Sequence, residues 1–574
     1  MIKNRYGYYV ELLGACLILV AVFLFYSYPL ILNWQDQIIG LDTPFADTPQ
    51  FVSNLYLFEK GWESGSLWHT QEIFYPIGAS TLMHGFVPGM GLLFHFSGME
   101  TFAFLNTFIL LCFVLGGLGA FQLAKRFNPG FFPALLVGFA YSFSCFHLAQ
   151  WQDHSWYIIN FTLPWYLLYF PSVFDFHPRH GLFRLNSWKA LLICFVLGII
   201  SASLDYYTTF FLIYLSVFYM LWKRFLSRLT WSAALWKKIV LAFLLVFGCS
   251  LLIDVLRRVG WNDNHGFYWS GDLAGLFIPQ NNRIYGSLFD NLTQGAWLQP
   301  GPDEKNLFLG FSFILALGYA KWLYWKKGRD KASNDLFLMS LLLLALCFPV
   351  LKLFGITLLK LPSALLHYIP FLNNIRVPTR WGILLYLFLS LYLVRVYFIH
   401  LSKRQNTILT LVLLLFLVLE YWPKPYAFFP SKDYTTTAEL IKKQKGEVLL
   451  TIPFGARDGY RMIGEQDNQQ LYAQTLHEKK LIGGYFSRLN DSVFSFYEND
   501  PLCGALFTLM ENDTATLVEQ NYSGFFEKFH PDLLYVRQDY LESAAFSLFR
   551  EAARSNQVKL IQVGDQLWLL EHGP

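Results

Sequence analysis

Residues 10–32 read VELLGACLILVAVFLFYSYPLIL and carry one charge, Glu11. As a helix this run is long enough to cross about 30 Å of hydrocarbon. Lys3 and Arg5 precede it, the order of a secretory signal. The run is longer than a signal core and has no clear small-residue cleavage site, so it is read as an uncleaved first span. Further apolar runs occupy 101–124, 131–149, 156–174, 188–204, 206–222, 237–256, 306–325, 335–354, 379–399 and 407–422. The weaker ones are 156–174, which contains Pro164, and the pair 188–204 and 206–222, split by Asp205. Segments of a closed barrel would be about ten residues long and alternate in polarity. The expected fold is therefore an α-helical polytopic membrane protein with about eleven spans.

Composition agrees. Of 574 residues, 55% are hydrophobic, 19% aromatic and 15% charged, against about 25% charged in soluble domains. Mean hydropathy is +0.36. The net charge of +4 forms no basic stripe, so nucleic acid is not an expected partner. The seven cysteines, Cys16, Cys112, Cys145, Cys194, Cys249, Cys347 and Cys503, are scattered and odd in number. They read as apolar filler rather than as a disulfide or metal framework.

Charge placement gives the spans a direction. Lys125 and Arg126, then Arg179, Arg184 and Lys189, then Lys223 to Lys238, Lys321 to Lys331, and Lys403 with Arg404 fall in alternate connections. The opposite connections hold Asp36, Asp42, Asp47, Glu59, Glu63 and Glu72. The positive-inside rule then puts the N-terminus in the cytoplasm and the C-terminus outside. Three outer connections are long, 33–100, 257–305 and 355–378, and long loops are usually functional. Trp34, Trp62, Trp68, Phe74 and Tyr75 suit the first of them to short helices at the membrane interface. After Trp422 the composition changes, with strand-like runs at Glu447–Ile452, Leu533–Arg537, Val558–Val563 and Gln566–Leu570 and a helical stretch over Tyr540–Ser555. The expected organisation is a membrane domain over 1–422, including the loop 33–100, and an extracytoplasmic α/β domain over 423–574. Gly483-Gly484 reads as a turn, and no Gly-rich phosphate loop is present.

Candidate chemistry lies at the outer ends of spans, where ionisable groups need a reason to be. In the stretch Gly40 to Gln50, Asp42 and Asp47 could take a proton from a hydroxyl or hold a metal. They could equally be loop acids or a helix cap, since Asp-Thr-Pro starts helices well. Asp153 and His154 form a second acid–imidazole pair, with an interfacial polar role as the alternative. Asp205, Tyr206 and Tyr207 could line a cavity mouth or make a tight turn. Arg376 and Arg380, in Arg-Val-Pro-Thr-Arg, have the donor fork that suits phosphate, or they could snorkel to headgroups. Asp272 and Glu304 read as ordinary loop acids or caps unless drawn into a site. His477 and Arg488 read as structural contacts or as groups facing one.

Taken in order, these stretches resemble the GT-C class of membrane glycosyltransferases, and within it the YfhO-type branch of large bacterial proteins with a soluble tail. The resemblance rests on the Asp47 region, Phe74-Tyr-Pro-Ile-Gly78, Tyr141 to His154, Leu163-Pro164, Asp205-Tyr-Tyr, Asp272-Leu, Glu304 to Gly310, Arg376 to Arg380, and Gln474 to Arg488. It implies a bacterial inner-membrane enzyme that moves a sugar, with inversion, from a polyprenyl-phosphate donor to a glycan, lipid or protein acceptor outside. Asp47, with Asp42 as fallback, would be the base, and Arg376 and Arg380 would meet the donor phosphate. Asp153 and His154 match a second polar loop that often binds metal, although Asp153 stands where a glycine is expected. A divalent metal is therefore possible and no other cofactor is implied. A lipid-linked saccharide flippase or a non-catalytic assembly protein would also use many spans. The flippase accounts less well for the acidic first loop and the large tail, while the assembly protein would use its tail to bind a partner.

Overall fold

The computed structural model describes residues 2–82, 84, 88–177, 182–224, 248–253, 255, 267–293, 303–328, 330–369, 372–513 and 522–573. They form two compact units, Met1–Leu32 with Asn106–Tyr426, and Asn33–Leu105 with Ala427–Pro574. The first outer connection thus packs with the tail, whereas the sequence placed it in the membrane domain. Its own side chains explain this. Leu57, Phe58, Ile73, Phe74 and Ala79 share one buried core with Leu449, Leu450, Phe486 and Leu533. Strand Ile38–Ile39 also pairs antiparallel with Phe428–Phe429. Phe74, expected at a membrane interface, is wholly buried in that core.

The first unit is helical. Among the described residues four stretches are long and apolar enough to cross a membrane, Tyr6–Ser27, Thr101–Ala124, Phe131–Gln152 and Pro378–His400. Two of them approach closely because they meet at glycines. A Cβ on Gly138 would lie 2.7 Å from the Gly117 carbonyl oxygen, and the Ser142 hydroxyl nearby donates to the Phe113 carbonyl at 2.7 Å. Other helices are shorter than a full crossing. Trp188–Leu204, Phe311–Lys327 and Lys331–Cys347 have 17 residues each, a rise of about 25 Å. The run 156–174 is divided between a 3-10 turn, Ser155–Ile158, and an eight-residue helix, Thr162–Tyr169. Most of 237–256 lies outside the described residues.

The run 335–354 ends early. Its helix stops at Cys347, because Phe348 precedes Pro349 and a residue before proline is pushed out of the helical region. Beyond Pro349 the chain forms a β-hairpin, Val350–Leu353 against Ile356–Lys360.

The second unit is built on a five-stranded sheet in the order Lys480–Leu481, Val448–Ile452, Leu533–Val536, Leu567–His572, Val558–Gly564. The first three strands run parallel and the last two join antiparallel. Val448–Ile452 is buried at every position, as a strand covered on both faces must be. Beside it lies a three-stranded sheet of Met462–Gly464, Gly455–Arg457 and Gly484–Tyr485. Gly483 has φ +95°, and a Cβ there would lie 2.4 Å from the Gly455 carbonyl oxygen. Its own carbonyl accepts from the Phe74 amide at 2.9 Å. The glycine pair is therefore a close-packed turn between backbone segments.

Candidate functional site

In the first unit, four chain breaks bring polar groups into one cluster around a buried pair. Pro378 starts a short 3-10 turn, Pro378–Trp381, that runs into helix Gly382–His400. The fixed φ of proline suits a first helical position, and it places Arg380 at the head of the helix. Glu304 sits in the turn Asp303–Lys305. His154 closes helix Cys145–Asp153 and leads into the turn that carries Tyr157. Asp205 separates helices Trp188–Leu204 and Tyr206–Arg224, with Tyr207 beside it.

Arg380 is the hub. Its Nη2 donates to Glu304 Oε1 at 2.5 Å, and the two side chains are 4% and 5% exposed. The guanidinium carbon lies 3.7 Å from the Tyr157 ring centre and 4.5 Å from that of Tyr207. Those rings meet edge-on at 5.2 Å. His154 Nε2 is 3.9 Å from Glu304 Oε1, and its ring stacks toward Tyr157. Glu304 Oε2 and Arg380 Nε are buried without a hydrogen-bond partner among the described residues. A buried donor or acceptor left unmade is costly, so the pair retains capacity for a further polar partner.

Charge balance follows from these contacts. Burial pushes the Glu304 carboxyl up, but Arg380, then His154 and more distant Arg376, hold it below its ordinary value. Burial lifts Asp205 to about 6, with Thr208, Tyr207 and Arg380 pulling it part of the way back. Its carboxylate accepts from the Thr208 amide at 2.7 Å and hydroxyl at 2.6 Å, and from the Tyr207 amide at 3.1 Å. Asp205 is thus a helix-start cap that also positions a ring of the Arg380 cage.

Other candidates of this unit lie apart in role. Asp272 is buried and accepts from the amides of Ala274, Phe354 and Gly355, so it clamps the hairpin to the turn Leu273–Leu276. Tyr206 is 36% exposed. The side chain of Asp153 lies outside the described residues. Sequence reading missed Tyr157 and Lys305, and gave Tyr207 only a place beside Asp205 at a cavity mouth or turn. The tyrosines are ordinary interfacial aromatics until a cation is placed between them, and Lys305 is buried directly beside Glu304.

The second unit holds the first-loop acids. Asp42 is fully engaged. Its carboxylate accepts from the Ser431 amide and hydroxyl at 2.9 Å, Tyr434 at 2.5 Å and Gln469 at 2.8 Å. Burial raises its pKa, but these donors lower it further, and the net shift is downward. Asp47 precedes helix Thr48–Ser64, partly buried, and makes no side-chain cap bond. His477 is buried and its Nδ1 accepts from the Lys479 amide at 3.0 Å. Arg488 donates to the Ser487 carbonyl and the Tyr460 hydroxyl. These are structural contacts. Sequence reading also missed His84, which is wholly buried. Its Nδ1 accepts from the Ser487 amide at 2.9 Å, while Nε2 meets Asn54 Oδ1 at 3.0 Å. Among the described residues no three His, Cys, Asp or Glu side chains converge as metal ligands.

The chain belongs to the family described as Domain of unknown function (DUF6311), whose profile matches residues 15–422. No curated protein matches the sequence. Among solved structures it is similar to the arabinofuranosyltransferase AftD from Mycobacteria, at 14% identity and a TM-score of 0.45, over 92% of this chain and 36% of that one. The chain therefore spans little more than a third of AftD. It is also similar to the oligosaccharyltransferase AglB from Archaeoglobus fulgidus, at 11% identity and a TM-score of 0.45, over 99% of this chain and 74% of that one.

Proposed function

We propose that this protein is a membrane glycosyltransferase of the GT-C type, moving a sugar from a polyprenyl-phosphate-linked donor to an extracytoplasmic glycan, lipid or protein. The ordered series of motifs from Asp47 to Arg488 supports the class, and the YfhO-type branch, the bacterial inner membrane and the span count of about eleven belong to the same proposal. The observation that carries it is the Arg380 cluster. A guanidinium fixed by Glu304 and two rings, with buried donor capacity left over, is preorganised for an oxyanion.

In an inverting displacement the acceptor oxygen bonds to the anomeric carbon as the bond to the donor phosphate breaks. Negative charge then grows on the departing phosphate. Fixed donors in a dry site stabilise that charge without reorganising. Arg380 is assigned this role and Arg376, four residues earlier, supports it. Lipid phosphate leaves as an anion, so the scheme needs no general acid of the hydrolase kind. Asp47 is the proposed base for the acceptor hydroxyl on the motif series alone, while Asp42 holds its own loop in the second unit.

Glycan analysis of cells making the variants tests this. Arg380→Gln paired with Glu304→Gln keeps the buried pair neutral, and it is expected to lose transfer by about 100-fold or more at normal protein level. Normal surface glycan in that variant would overturn the assignment. Lipid-linked sugar trapped on the inner leaflet would indicate a flippase instead.

A further inference from the structure

The hairpin after helix Lys331–Cys347 is unlike a loop made for water. Residues 353–358 are six exposed positions in succession. Four are large and apolar: Leu353 at 40% exposure, Phe354 at 49%, Ile356 at 68% and Leu358 at 53%. Loop tips in water usually carry small polar residues. Its flanks are basic, with Lys352 opposite Thr357 beside the turn and Lys360 opposite Val350 at the base, and residues 336–419 contain no aspartate or glutamate. A projecting apolar tip between two lysines, on a stretch free of acid, complements one surface in particular. That surface is a bilayer with anionic headgroups above its acyl chains.

We propose that the hairpin is a membrane anchor whose tip, Leu353 to Leu358, sits at the headgroup–acyl boundary while Lys352 and Lys360 meet anionic headgroups. The hairpin is held firmly enough for its depth to matter. Asp272 accepts from the Phe354 amide at 3.1 Å and the Gly355 amide at 2.7 Å. The Ser270 hydroxyl donates to the Val350 carbonyl and accepts from its amide, and Lys352 Nζ donates to the Phe267 carbonyl. Between Ser270 and Asp272, Gly271 lies so near Thr379 that a Cβ would stand 2.9 Å from its methyl group. Thr379 is the neighbour of Arg380. The anchor therefore sets the level of the Arg380 cluster relative to the headgroups, whatever reaction that cluster serves.

The test uses the full chain in nanodiscs. An environment-sensitive fluorophore is placed at Ile356→Cys and, in a second protein, at Thr357→Cys. The unsubstituted chain serves as labelling control. Emission is read against phospholipids carrying a nitroxide high on the acyl chain, with and without anionic lipid. The expected result is blue-shifted emission lost to the lipid quencher, with greater loss when anionic lipid is present. Lys360→Gln should weaken that anionic increment about fivefold, from about 1 kcal/mol per basic residue. Water-like emission that the lipid quencher leaves untouched would overturn the proposal. So would emission shielded from both the lipid quencher and aqueous iodide, which would mean that a protein or a second copy covers the tip.

Discussion

Arg380 and Glu304, 76 residues apart in sequence, share a 2.5 Å hydrogen bond in a nearly solvent-free pocket. Breaking one side of a buried pair costs about 3–5 kcal/mol because the other charge is stranded. Arg380→Gln or Glu304→Gln alone is therefore expected to lower thermal stability sharply in detergent, and the double substitution to recover most of the loss. Unfolding midpoints of the three variants check this. Additive losses would mean that the two groups do not depend on each other.

Asp42 and Asp47 are five residues apart and should behave differently. Asp42→Ala strands the Tyr434, Gln469 and Ser431 donors and is expected to cost about 2 kcal/mol of stability. Asp47→Asn keeps the size and shape of the side chain and is expected to retain most of the stability while abolishing transfer. Parallel stability and glycan measurements separate the two.

His84 and His477 give the second unit an acid limit. Burial pushes both imidazoles down to about 3, with Lys479 and Lys442 adding to the effect at His477. The unfolded chain takes up a proton on each near its ordinary value of about 6.5, which the folded unit refuses. Stability is then full above that value and falls as pH drops toward 3, by up to about 1.4 kcal/mol per pH unit for each proton. Hydrogen exchange of residues 480–487 between pH 7 and 4 reads this. His84→Gln should remove about half of the slope.

Gly483→Ala is expected to destabilise the second unit by about 1–3 kcal/mol, the usual cost of a side chain held in a forbidden backbone region. The carbonyl of Gly455, 2.4 Å from the new Cβ, adds to it. Gly65 is a useful contrast. Its φ is also positive, at +70°, but nothing lies within 4 Å of a Cβ there, so Gly65→Ala should cost no more than the strain alone. Limited proteolysis at matched temperature ranks the two.

Legibility followed the range of the interactions. The helix over 101–124 and the strands near 448, 533, 558 and 567 were written in local hydrophobic pattern. Pattern could not tell that the apolar residues after Pro349 form a hairpin, because a short apolar run fits helix and strand alike. In the site, Arg380, Glu304, His154 and Asp205 stood out as polar groups at span ends. Their meeting, and the tyrosines that frame it, arise from contacts between distant segments. Residues 33–105 were misplaced for the same reason, since a core partner about 400 residues away leaves no local trace.

That non-contiguous second unit has a consequence for biosynthesis. Residues 33–105 leave the ribosome more than 300 residues before the strands they pack against. In that interval Leu57, Phe58, Ile73 and Phe74 lack the strand side of their core, so the nascent protein needs shelter until those strands arrive. A chain released in that interval would carry this apolar face uncovered.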